Sequence, residues 1–266
     1  MSPQGSLTSR TVAYPDLIRE QSDLLHQHYP EARFGGFSDI DGTIAFYLRV
    51  RSMIEPSSVV LDVGCGRGAF LSDPVETRRD LHVLKGQCRA VIGIDVDPTS
   101  EKNQAISEFR LIEGSRWPVA DESIDVCVCD WVLEHVEDPS TFFAECSRVV
   151  RPGGHLCIRT MNLVSYVGIA ARLFPNGLHV DLLNRLQRER QPRDIFRTVY
   201  QCNTRRKLTR MLDRAGFTNS VYGYDPEPSY LSSSPALYQV GVWHQRWAPR
   251  AFAVTLFGFG ARRDET

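Results

Sequence analysis

The stretch that decides the fold is Val59-Val60-Leu61-Asp62-Val63-Gly64-Cys65-Gly66-Arg67-Gly68. Five residues, four of them β-branched or Leu, read as a buried parallel strand. The glycine-rich turn that follows lets the backbone bend sharply and approach a ligand with no Cβ in the way. The turn is expected to open a helix of about 20 residues, whose first N–H groups and positive dipole end would suit an anionic group. Glycine spacing separates two classes of cofactor site. A dinucleotide fold uses Gly-x-Gly-x-x-Gly, whereas the glycines here are Gly64, Gly66 and Gly68, with an acid, Asp62, ahead of them. A nicotinamide oxidoreductase is therefore disfavoured.

Outward from this loop, short apolar runs alternate with amphipathic ones, the pattern of a parallel sheet with crossover helices. Ala90–Asp95 is the second strand, Phe109–Ile112 the third and Ile124–Cys129 the fourth. Pro139–Val150 reads as a helix with Phe142, Phe143, Cys146, Val149 and Val150 on its apolar side. Pro152-Gly153-Gly154 turns into a fifth strand, His155–Arg159. Thr204–Ala215 is a helix closed by Gly216. Thr218–Tyr224 and Phe252–Ala261 are the last two strands. Residues 1–57 form a helical preface, with Leu17, Ile18, Leu24 and Leu25 at helical spacing up to His28-Tyr29-Pro30 and a second helix from Thr43 to Ile54. The remainder, 58–266, is one cofactor-binding domain carrying an Arg- and Leu-rich insertion at about 160–203.

At the end of the second strand, Asp95 is placed to accept hydrogen bonds from both hydroxyls of a ribose, while Asp97, just before Pro98, suits a helix cap.

Composition narrows the function class. Apolar residues are 42% and charged residues 24% of 266, a globular average that excludes disorder, collagen and a disulfide miniprotein. With 31 basic against 32 acidic residues there is no bulk electrostatic pull toward nucleic acid. No apolar run reaches the length of a transmembrane helix, and polar Met1–Arg10 lacks the core of a secretory signal. The seven cysteines are odd in number and show no paired metal-type spacing; no metal is expected. Cys65, Cys127, Cys129 and Cys157 read as buried, reduced thiols of a cytoplasmic enzyme.

Later motifs carry a family resemblance. The first strand and loop resemble motif I of class I S-adenosylmethionine-dependent methyltransferases. Trp117-Pro118-Val119-Ala120-Asp121-Glu122-Ser123-Ile124-Asp125-Val126, Val132-Leu133-Glu134-His135-Val136-Glu137-Asp138-Pro139 and Arg148-Val149-Val150-Arg151-Pro152-Gly153-Gly154 are similar to later hallmarks of the type 11 branch, itself similar to the quinone-biosynthesis methyltransferases. The resemblance covers about residues 43–160 plus Asn203-Thr204 and Ala215-Gly216-Phe217. It implies an α/β, Rossmann-like, seven-stranded, mostly parallel sheet with helices on both faces and an antiparallel last strand. It also implies S-adenosyl-L-methionine as cofactor and a small-molecule acceptor, with a hydroxyl oxygen as the leading target, a natural-product, glycan or quinone-like substrate as the open alternatives, and a hydrophobic or lipid-linked carrier among them.

Carried over by residue, Gly64, Gly66 and Gly68 would pass beneath the methionine and ribose, Asp62 would orient the loop or hold the amino group, and Asp95 would take the ribose. Asp130 and Trp131 would face the methionine end, and Cys65, Val96 and Arg116 complete the cofactor set. Many relatives have Gly-Asp-Ala after the third strand; Gly114-Ser115-Arg116 stands here, so Ser115 or a backbone group would replace the adenine-binding acid.

Methyl transfer to oxygen needs a proton removed. His135 is the first candidate base and Asp130 the second, with a loop-holding role for the Glu134–His135 pair as the competing reading. Tyr14, Phe46, Tyr47, Tyr166, His179 and Tyr200 are candidates for acceptor selection or for packing. Arg185, Arg188, Arg190, Arg193 and Arg197 would meet an anionic acceptor or form a solvated face. A methyltransferase-fold scaffold without turnover is the alternative from another class. An amino-group nucleic-acid methylase is disfavoured by Asp130-Trp131-Val132-Leu133. In Pro235–Pro249, Leu237, Val240, Gly241, Trp243, His244 and Trp247 fall near one helix face. They either pack on the sheet edge or make, at most, a peripheral membrane contact.

Overall fold

The computed structural model describes residues 23–173 and 198–264. Seven strands form one sheet: β1 Val59–Val63, β2 Ala90–Asp95, β3 Glu108–Leu111, β4 Ile124–Asp130, β5 Val150–Met161, β6 Phe217–Tyr224 and β7 Thr255–Arg262. Their order is β3-β2-β1-β4-β5-β7-β6. All pairings are parallel except those of β7, which runs antiparallel to both β5 and β6. The expected fold class holds, including the antiparallel last strand.

Besides the helical residues 23–28, the described residues hold the helices α1 Gly42–Ser52, α2 Glu76–His82, α3 Pro139–Val149, α4 Tyr166–Leu173, α5 Arg205–Arg214 and α6 Pro235–Trp247. Side-chain oxygens start four of them. Asp41 accepts from the N–H groups of Thr43 and Ile44 before α1, Asp138 from Ser140 and Thr141 before α3, Thr204 from Lys207 before α5 and Ser234 from Leu237 before α6. Each satisfies donors that the first helical turn leaves open.

Alternation along the central strands builds a core on each face. Leu61, Val63, Cys127, Cys129 and Ile158 pack with Phe143, Cys146 and Val149 of α3 and Leu208 and Leu212 of α5. On the other face Val60, Val91, Val126 and Phe257 pack with Phe46, Tyr47 and Val50 of α1. A smaller cluster joins Leu24, Tyr29 and Ala32 to Tyr238 and Val242 of α6. Among the described residues no helix is long and apolar enough to cross a membrane.

Three expectations are corrected. The glycine loop does not open a long helix: Gly68 precedes a four-residue 3-10 turn, Ala69–Ser72, and α2 starts only at Glu76. Pro74 lies between them and cannot supply the N–H a continuous helix would need. Pro152-Gly153-Gly154 is not a turn before β5 but an irregularity within it, since Val150 already pairs with Ile124 and the register then shifts to His155 opposite Val126. Residues 250–252 form a 3-10 turn, so β7 begins at Thr255.

The thiols are free. Spacing alone did not group them, but Cys127 and Cys129 point to one face of β4 and meet Cys146 of α3, their sulfurs within 4.8 Å of one another and all buried.

Candidate active site

The glycine loop leaves β1 at the carboxyl edge of the sheet, where open α/β folds place ligands. It is pinned to β2: Gly64 donates to the carbonyl of Ile94 at 2.8 Å. Gly66 N–H donates to Asp95 Oδ2 at 2.9 Å, and Asp97 N–H donates to Asp95 Oδ1 at 2.9 Å. Asp95 is thus buried and closes the loop from below. Asp97 caps the following turn through Thr99, the role expected of it. Cys65 is buried, its carbonyl accepting from Asn103 Nδ2 at 2.8 Å.

Gly64 and Gly66 show why glycine is required. Both have positive φ, +66° and +51°. A Cβ at Gly64 would lie 2.7 Å from Val132; at Gly66 it would meet no protein atom within 4 Å. The space beside Gly66 is an open cradle on backbone that only glycine adopts cheaply.

Asp62, one residue before the end of β1, is half-buried. Burial, followed by the neighbouring carboxylates and thiol of Asp130, Cys127 and Asp95, pushes its carboxyl up to about 8. No described residue donates a hydrogen bond to it. A carboxyl in that state favours a cation brought from outside.

Asp130, at the end of β4, is differently placed. It faces Arg159 across the β4–β5 pairing, and Arg159 grips it with Nε at 2.5 Å from Oδ1 and Nη2 at 2.6 Å from Oδ2. Arg159 also donates to Thr43 Oγ1 at 2.9 Å and lies over the rings of Phe46 and Trp131. Burial works against the guanidinium charge, but Asp130 outweighs it and holds Arg159 above its usual range. Tyr47 Oη lies 3.1 Å from Asp130 Oδ2 and 2.7 Å from His82 Nε2. Burial and then Asp130 push the Tyr47 phenol far up. Burial, aided by Arg159, pulls His82 down to about 4, leaving it neutral. His82 stacks on Phe70, 3.7 Å between centroids.

Trp131 follows with φ +57°, an unusual angle for a bulky side chain. Its N–H donates to the carbonyl of Arg159. The 3-10 turn Leu133–His135 comes next. His135 is half-buried there. Glu134 is buried and its carboxylate accepts from Thr160 Oγ1 at 2.8 Å. Its carbonyl also accepts from the N–H groups of Val199 and Tyr200, so Glu134 does hold the neighbouring chain.

The structure therefore brings Asp62, Gly64, Cys65, Gly66, Gly68, Asp95, Asp130 and Trp131 to one edge. Val96 is beside them and 58% exposed. Ser115 and Arg116 lie in the exposed loop after β3, with Arg116 3.1 Å from Asp121. Phe46 is core, packed on Phe257 and Phe259. Tyr166 packs edge-on against His244, and Tyr200 is half-buried with φ +50°. Tyr14, His179 and the five arginines from Arg185 to Arg197 lie outside the described residues. Arg159, His82 and Asn103 were not anticipated. Arg159 had a signal: a single charge inside an apolar parallel strand needs a partner.

A methyltransferase-domain family model matches residues 61–158. A ubiquinone biosynthesis O-methyltransferase of Hahella chejuensis is 31% identical over 180 residues, 61% of this chain and 71% of that protein. The chain belongs to the S-adenosylmethionine-dependent methyltransferases. The methyltransferase shares its fold with a Methanosarcina mazei SAM-dependent methyltransferase (18% identity, TM-score 0.52, covering 82% of this chain and 98% of that one). It also shares it with the Streptomyces coelicolor geranyl diphosphate C-methyltransferase in complex with S-adenosyl-L-homocysteine (16% identity, TM-score 0.51, covering 83% and 78%). The methyltransferase is an enzyme, and S-adenosyl-L-methionine is its cofactor.

Proposed function

We propose that this enzyme methylates a hydroxyl oxygen of a small phenolic or quinone-like acceptor. The observation that carries the reading is the unpartnered carboxyl of Asp62 beside the open backbone at Gly66, a seat for a cationic amino-acid end. The name of the Hahella chejuensis relative, a ubiquinone biosynthesis O-methyltransferase, supports oxygen as the target and a quinone-like acceptor.

In this reading Asp62 takes the cofactor's ammonium and the Gly64–Gly68 backbone runs beneath its methionine and ribose. Asp95 meets the ribose hydroxyls, exposed Val96 covers one side of the base, and the Ser115 hydroxyl serves the adenine edge. Arg116, drawn to Asp121, closes that loop. When bound, the cofactor supplies an electrophilic methyl on a sulfonium. The protein's task is to align the acceptor and remove water and a proton. His135 takes the hydroxyl proton. Asp130, committed to Arg159 and Tyr47, fixes the floor on which Trp131 sits. Acceptor selection falls to the N-terminal segment through residue 57 and to the 160–203 insertion, whose ends are tied by Leu163 N–H donating to the Asn203 carbonyl.

A labelled-methyl screen against phenols, quinols, amines and lipid-linked sugars tests this. Transfer to a phenol or quinol is expected, and turnover of amines alone would overturn the reading. His135→Ala should lower kcat about 10²–10⁴-fold with cofactor affinity unchanged. An unaltered kcat would leave His135 with a loop-holding role only.

A further inference from the structure

Helix α6 has two apolar sides and buries one. Tyr238 and Val242 are packed against Leu24, Tyr29 and Ala32, and Gly241 is packed so closely on Pro228 that a Cβ would not fit. Around the helix, Leu237, Val240, Trp243 and Trp247 are 50, 54, 60 and 83% exposed. At about 100° per residue they form a stripe roughly 120° wide. From Leu237 to Trp247 the stripe runs about 15 Å along this 13-residue helix. The sequence pattern had placed Gly241 on this face; the structure removes it to the packed side and leaves the indoles outside.

The stripe continues into a cleft. Ala248 borders both, and the cleft, about 780 Å³, is edged by Leu48, Arg49, Tyr222, Gln245 and Arg250. Leu48 and Phe252 add further exposed apolar surface, 55 and 48%. The charge around it is one-sided. From Ser229 to Arg263 the chain contains no Asp or Glu. Among the described residues no carboxylate pairs with Arg49, Arg246 or Arg250, whereas Arg78, Arg148, Arg151 and Arg159 are each paired. The one acid at the cleft, Asp225, is already engaged by His244 at 3.0 Å.

We propose that this surface docks the enzyme on anionic lipid bilayers. Trp243 and Trp247 would sit at the head-group level, and Arg246 and Arg250 against lipid phosphates. Indoles suit that boundary because they join a large apolar body to one N–H donor, and unpaired guanidinium groups match phosphate oxygens. The stripe is a shallow, open surface along one helix, which a deformable bilayer can accommodate. A second copy of the chain is disfavoured, since two such faces would bring Arg246 and Arg250 together with no carboxylate between them. The proposal does not depend on which acceptor the enzyme methylates.

The test is flotation of the full chain with vesicles of phosphatidylcholine alone and with about a quarter phosphatidylglycerol. The expected result is flotation with the anionic vesicles, weakened in high salt, and a blue shift of tryptophan emission. Trp243→Ser/Trp247→Ser should weaken partitioning about tenfold or more. Arg246→Gln/Arg250→Gln should weaken it about fivefold per arginine. Melting temperature and cofactor affinity should be unchanged in both, because the altered side chains are exposed. Should the tryptophan pair fold poorly, Leu237→Ser/Val240→Ser reads the same stripe. Wild-type protein that stays in solution with anionic vesicles, or variants that float equally well, would overturn the proposal. So would a concentration-dependent dimer that the tryptophan pair dissolves without any flotation.

Discussion

Asp62 near the end of β1 and Asp130 at the end of β4 are carboxyl groups at the same edge of adjacent parallel strands, and they meet opposite surroundings. Asp130 has a guanidinium, a phenol and the packing of Phe46 and Trp131 around that guanidinium. The neighbours that shift Asp62 are other acids and a thiol, with no cation among them. One carboxylate is part of the framework; the other is costly to ionise until something positive arrives. Two acids of identical chemistry thus divide the labour, through the partner each was given.

Breaking the paired side should have the largest effect. Arg159→Met would leave Asp130 buried without its cation and is expected to cost about 3–5 kcal/mol of stability by urea denaturation. A loss under about 1 kcal/mol would mean water already reaches Asp130.

Breaking the unpaired side should act on binding. Asp62→Asn is expected to weaken cofactor binding by about 1.5–3 kcal/mol, the worth of a hydrogen bond to a charged group, measured by calorimetry. Its stability should move the other way. The folded carboxyl at about 8 lies above its ordinary 3.8, so the folded state holds the proton more tightly. That contribution is fully present below the ordinary value and is lost as pH rises through about 8. Cofactor-free wild-type protein should therefore lose stability relative to Asp62→Asn between pH 4 and 8. Its cofactor affinity should rise with pH from about 6 to 7.5, where ionised Asp62 becomes more abundant. A flat affinity profile would detach Asp62 from the site. The smallest effect should come from Arg116→Ala, whose partner Asp121 is exposed with it. A stability change under about 0.5 kcal/mol is expected, and a larger one would give that loop a structural role.

Most strands were legible because parallel strands buried on both faces are uninterrupted apolar runs, and Ala90–Asp95 was bounded to the residue. The placing of the glycine loop beside Asp95 was legible because the loop follows β1 and Asp95 closes β2, and Gly66 N–H reaches Asp95 Oδ2. The region between β1 and β2 was not. Its composition is amphipathic, but Asp73 ties itself to Val75 N–H and to Arg78 around Pro74, and that local chemistry outcompetes a helix. The Asp130–Arg159 pair was hidden for another reason. It depends on the β4–β5 register, which a single strand does not contain. The three-thiol group similarly needs α3 laid on β4 before Cys146 joins Cys127 and Cys129.

The strand order has a consequence in time. β7 is the last strand along the described chain, yet it lies between β5 and β6. While the chain is being synthesised, β1 to β5 can assemble as their residues emerge, but β6 has no neighbour until β7 follows it. During that interval the outer edge of β5 presents unpaired N–H and C=O groups from His155 to Met161, the same groups β7 later takes up. Completion of the sheet must wait for a contact far apart in sequence, which slows folding. A ribosome that stalls before Thr255 would release a protein with a nearly finished cofactor edge and an adhesive flank.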